Sequence, residues 1–114
     1  MKGIIYYNSS WENGNEQLKQ IVTNYEHMGI PTTKCHYMRH NSLAKFENGD
    51  TWQVLYANDY ARGYRCNIAY IERSIDYDIY RCIIAPKMLD FPFSAFRLWG
   101  EGNLHLDFDP PLPF

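Results

Sequence analysis

Apolar positions along the chain change period several times, and each change marks an element. Gly3-Ile4-Ile5-Tyr6-Tyr7 is a short unbroken run of β formers and reads as a buried strand. Asn8 to Asn15 is a turn-rich loop in which Asn13 or Asn15 is placed to cap a helix. From Glu16 to Met28, Leu18, Ile21, Val22, Tyr25 and Met28 recur at helical spacing and form one stripe. Gly29 ends that helix and Pro31 prevents its continuation. Thr32 to Tyr37 returns as a strand. Ser42 to Tyr56 reads as a β-hairpin turning at Asn48-Gly49, where positive φ is needed. Asn58 to Tyr64 is a loop, and Asn67 to Ile71 is a second buried strand. Tyr80 to Ala85, closed by Pro86, reads as a third.

Beyond Asp90 the texture becomes aromatic and turn-rich, and the last eight positions are rich in proline. Near-continuous apolar strands and one strong helix predict an α/β fold. Its mostly parallel sheet is covered on both faces and carries a hairpin insertion. A length of 114 residues predicts one domain, with the aromatic, Pro-rich segment beginning at about residue 91.

Composition narrows the functional classes. Lys and Arg total 11 against 13 Asp and Glu, a net charge of −2, which argues against a generic clamp on nucleic acid. No apolar run approaches membrane length. The opening residues are too few for a secretory core. A soluble cytoplasmic protein is expected. The three cysteines, Cys35, Cys66 and Cys82, form no C-x-x-C unit and sit in strand-like surroundings, so buried free thiols are expected.

Most chemistry-bearing residues lack the partners their chemistry needs. His27, His36, His40 and His105 show no zinc-ligand spacing, and Cys35 and His36 point to opposite faces of a strand. Asp76/Asp78 and Asp107/Asp109 alternate in extended segments, and acidic solvation explains them better than a cation site. Cys66 follows Arg65, yet a cysteine at the start of a strand is by default a packed one. No metal, cofactor or catalytic residue is expected. Arg62-Gly63-Tyr64-Arg65 is the one anion-contact candidate, with Asp59 and Asp76 as competing salt-bridge partners.

The order Phe46-x-Asn48-Gly49-Asp50, Arg62-Gly63-x-Arg65 and Ile68-Ala69-Tyr70-Ile71-Glu72 resembles the ATPase core of bacteriophage large terminase subunits. In that family an F-x-N-G-S hairpin leads to an R-G loop and then to a strand ending in two acidic residues. The segment from Tyr80 to Pro86 is similar to a later strand that couples hydrolysis to movement. The likeness covers roughly residues 43 to 86, and implies a P-loop-NTPase-like core. Glu72 matches the metal-associated carboxylate.

The departures concern the reacting parts. Asn8 to Asn15 has one glycine and no lysine, Lys19 comes a turn too late, and nothing matches G-x-x-x-x-G-K-[ST]. The position of the family's catalytic glutamate is Arg73, which cannot take a proton from water. The resemblance therefore implies a degenerate, non-hydrolysing relative, phage-encoded and acting in the host cytoplasm.

Binding is then the expected activity, through a protein partner or self-association. Phe91, Phe93, Phe96, Arg97, Trp99 and Phe114 are the candidate anchors, because aromatics and arginine dominate interface energetics. Packing of the same segment on its own sheet is the equal alternative. The competing class is a nucleotide- or nucleic-acid-binding protein. There Arg62 and Arg65 contact phosphate, Tyr64 or Tyr60 stacks on a base, and Glu72 lies nearby.

Overall fold

The structure is a computed structural model, and it describes residues 1–58, 65–88 and 95–106. Strand β1 (Lys2–Tyr7) leads into helix α1 (Trp11–His27), followed by β2 (Thr32–His36), β3 (Ser42–Phe46) and β4 (Thr51–Tyr56). Then come β5 (Ile68–Glu72), helix α2 (Tyr77–Ile79) and β6 (Ala95–Trp99). The six strands form one sheet in the order β2-β3-β4-β1-β5-β6. Strand β1 pairs in parallel with β4 and β5, and β5 pairs in parallel with β6. The β2-β3 and β3-β4 pairs are antiparallel. The domain is therefore α/β with a mixed, mostly parallel sheet, and the expected hairpin is present as β3 and β4. Gly49 has φ 94° at its turn.

Burial on both faces explains the unbroken apolar run of β1. Ile5 and Tyr7 join the core beneath α1, whereas Ile4 and Tyr6 face the opposite core with Ile83 and Ile84. Leu18, Ile21 and Tyr25 of the predicted stripe are buried on the α1 side; Val22 is half-buried and Met28 is exposed. The helix begins five residues earlier than the stripe suggests. Ser10 is its N-cap, accepting from Asn13 N–H at 3.2 Å, so Asn13 and Asn15 lie inside the helix. Gly14 is the reason α1 can sit so low. A Cβ there would lie 2.7 Å from Val54 Cγ1 and 3.0 Å from the Tyr7 ring.

Two segments depart from the sequence expectations. The run from Tyr80 to Ala85 is helical. A π-helical turn over Tyr80–Ile84 and a 3-10 turn over Ala85–Lys87 continue α2. Ile75, Ile79 and Ile83 recur every fourth residue and pack on the far face of the sheet, a helical period hidden by the apolar run around it. Cys82 consequently faces solvent instead of the core; Cys66 is buried and Cys35 half-buried, all three as free thiols. The second departure is β6, an edge strand within the segment read as turn-rich. Phe96 and Leu98 pack on the α2 face, while Trp99 is buried on the α1 face.

Candidate functional site

The chain leaves β1 toward α1 on one face of the sheet and leaves β5 toward α2 on the other. Divergence of this kind opens a crevice at the carboxyl ends of the strands, the usual place for ligands in open α/β sheets. A cleft of about 780 Å³ lies at the carboxyl ends of β1 and β4, beside that divergence, floored by Tyr7 and Leu55 and walled by Trp11, His40, Asn41 and Tyr56. That volume is within the range of small-ligand sites. Tyr7 and Tyr56 hold their ring centroids 5.5 Å apart at 45°.

Glu72 ends β5 beside this crevice and is 3 % exposed. Its Oε1 accepts from Asn8 N–H at 2.7 Å and Ser9 N–H at 2.9 Å, and its Oε2 accepts from the Ser9 hydroxyl. Asn13 Nδ2 in turn donates to Ser9 Oγ at 3.0 Å, and Asn8 Nδ2 donates to the Ser74 carbonyl at 3.2 Å. Burial alone would raise the carboxyl pKa. The two amides and the hydroxyl outweigh it and hold Glu72 below the ordinary glutamate value. The loop after the first strand therefore wraps an anion, and that anion belongs to the protein.

The turn beyond β6 closes over the same carboxylate. Gly100, at φ 73°, has space for a Cβ only 3.2 Å from Glu72 Cγ, so both its conformation and its position favour glycine. Arg73 Nη1 donates to the Gly100 carbonyl at 2.9 Å, and Arg73 N–H to the Trp99 carbonyl at 2.8 Å. The arginine at the base position of the resemblance thus ties the β5 and β6 ends together.

A second anchor secures the loop from 37 to 41. Ser42 Oγ accepts from Met38 N–H at 2.8 Å and donates to Asn15 Oδ1 at 2.6 Å. Asn15 Nδ2 donates to the Met38 carbonyl at 3.0 Å. Asn41 adopts φ 57°, a left-handed conformation asparagine tolerates. The guanidinium of Arg39 lies 5.8 Å from the centre of the Trp11 ring.

The residues singled out from sequence are scattered. Arg65 is exposed before the amino end of β5 and Glu72 sits at its carboxyl end, so a strand length of about 20 Å separates them. Arg62 and Tyr64, and the anchors Phe91, Phe93 and Phe114, lie outside the described residues. Phe96 is half-buried and Trp99 is 8 % exposed; Arg97 is exposed, 5.7 Å from the centre of the Tyr70 ring. Among the described residues no group of three or more His, Cys, Asp and Glu side chains is arranged to hold a metal. No helix among them is long and apolar enough to cross a membrane.

Asn8, Ser9, Asn15 and Ser42 carry no sequence motif, and the bonds that join them to Glu72, to Met38 or to each other across the fold span 23 to 64 residues, from Asn15–Met38 to Asn8–Glu72. The one available signal was the cluster of small polar residues directly after a buried strand. No family model, curated protein or solved structure matches the chain.

Proposed function

We propose that the chain is a small, phage-type protein that acts by binding, on a non-hydrolysing scaffold related to the terminase ATPase core. The observation that carries this reading is the occupation of the loop after β1. The Asn8 and Ser9 amides that would face a phosphate are spent on Glu72. A phosphate oxygen brought to about 4 Å from that carboxylate meets a repulsion of about 4 kcal/mol per unit charge pair at an effective dielectric constant of 20. No lysine stands in the loop to offset it, and Gly14, its one glycine, is buried in α1 against Val54. Arg73, bonded to the Gly100 carbonyl, has no capacity as a general base.

Turnover and affinity test the reading together. With magnesium–ATP at millimolar concentration, the native chain is expected to release no phosphate above the buffer rate and to give no saturable heat of binding. Hydrolysis that disappears in Glu72→Gln would overturn it.

A nucleotide- or nucleic-acid contact through Arg62-Gly63-Tyr64-Arg65 is the second reading, supported by the exposure of Arg65. Two phosphate contacts would give log K against log[salt] a slope of roughly −1.4 for single strands, reduced by changing either arginine. A flat salt dependence removes it.

A further inference from the structure

Apart from tyrosine and tryptophan, Asn15, Ser42 and Glu72 are the buried polar side chains among the described residues. All three fix loops at the carboxyl edge of the sheet, and those loops border the same crevice. A buried polar group stabilises only when its partners are all in place, so its effect is to fix one geometry. Here the geometry fixed is that of a surface.

What the anchored loops display has the composition of an interface centre. Tyr56, which lines the crevice, is 44 % exposed, and Met38, in the loop that contributes His40 and Asn41 to it, is 51 % exposed, although both are large and apolar. Arg39 stands against Trp11, which lines the same crevice, and among the described residues no carboxylate lies within ion-pair distance of it. Tyr, Trp, Met and Arg are the residue types enriched where proteins meet. Rigid presentation lowers the entropic cost of using them.

We propose that this crevice and the Met38-Arg39-His40 rim form a docking surface for a partner protein. The segment it takes would carry a carboxylate next to an aromatic side chain. The aromatic ring fits between Tyr56 and Trp11 above Tyr7, and the carboxylate meets Arg39. Burial, then Tyr56 and Glu12, disfavour ionisation of Tyr7, which therefore floors the crevice as a neutral ring. The partner's acidic group meets Arg39, and a basic segment meets an uncompensated cation there. This assignment rests on the reading of the chain as a binding protein, and it names the surface and the chemistry of the partner.

Synthetic octapeptides containing Asp-Phe-Asp, Lys-Phe-Lys or Asp-Ser-Asp in a Gly/Ser background provide the probes, followed by fluorescence anisotropy with the full chain. The Asp-Phe-Asp peptide is expected to bind at least tenfold tighter than either of the others. Arg39→Glu and Tyr56→Ala, both at exposed positions, should each weaken it at least fivefold, and Arg81→Glu on the opposite face should leave it unchanged. Circular dichroism of each variant confirms that the fold persists. Equal binding of the Lys-Phe-Lys peptide overturns the proposal, and so does an equal loss in Arg81→Glu. Failure of all three peptides to bind, while ATP is not hydrolysed, overturns this assignment alone. ATP turnover by the same sample would instead overturn the reading beneath it.

Discussion

The body of the sheet and its carboxyl edge are built on different principles. In the body, β1 and β4 are held by apolar side chains beneath α1, and Leu18, Ile5 and Val54 are at most 2 % exposed. Many substitutes of similar volume satisfy such a region. At the carboxyl edge, order depends on a few directional bonds. Glu72 holds the loop after β1, Arg73 holds the turn after β6, and Ser42 with Asn15 holds the loop before β3. There the identity of each donor and acceptor matters, and a change of one atom is felt. The comparison teaches that stability and specificity of shape have been placed in different parts of a 114-residue chain.

The largest effect should come from the body. Leu18→Ala removes a fully buried side chain from the α1 interface and is expected to cost about 2–5 kcal/mol in urea denaturation, with little change in the denaturant slope. The edge should respond less in global stability but more in local order. Ser42→Ala leaves Asn15 Oδ1 and Met38 N–H without their partner, a cost of about 1–3 kcal/mol. Its signature would be faster hydrogen exchange at Met38 than at Ile5. Equal acceleration at both sites would erase the distinction between the two regions.

Acid sharpens the same contrast. The Glu72 carboxyl has its pKa lowered on folding, so its contribution is fully present above the unfolded value of about 4.3. It is lost as pH falls through the folded value below that. Glu72→Gln cannot titrate. The stability advantage of the native chain over this variant should therefore be constant near neutrality and shrink as pH falls below about 4.3. The comparison with the variant matters because Asp50 is also held low, against its burial, by Tyr25 and other donors. An advantage that grows on acidification would contradict the assignment. The smallest effect belongs to the displayed residues. Arg39→Glu at an exposed position should change stability by no more than about 0.5 kcal/mol.

Much of the body was legible from the residues. The stripe from Leu18 to Tyr25 is local, as is the Asn48-Gly49 turn, and short-range periodicity encodes both. The helical stretch after Tyr77 was misread because buried Ile83 and Ile84 adjoin Tyr80 and Cys82, and a short apolar run looks alike in a strand and a helix. Strand β6 was missed because Phe96-Arg97-Leu98-Trp99 places aromatics on both faces, so no alternation signals a strand. Glu72 was singled out for a different role, as the match to a metal-associated carboxylate. Its contact with Ser9 spans 63 residues, and no local pattern announces it. The Arg39–Trp11 pairing and the Ser42–Asn15 bond are invisible for the same reason.

The occupation of the loop after β1 by Glu72 is open to a direct measurement. In ¹H–¹⁵N spectra near neutral pH, the Asn8 and Ser9 amides should lie downfield, as donors to a carboxylate. They should stay fixed as magnesium–ATP is raised to about 5 mM, because the position is already filled by a charge-assisted pair. A saturable shift confined to those two amides would show that an external phosphate displaces Glu72, and would contradict the account.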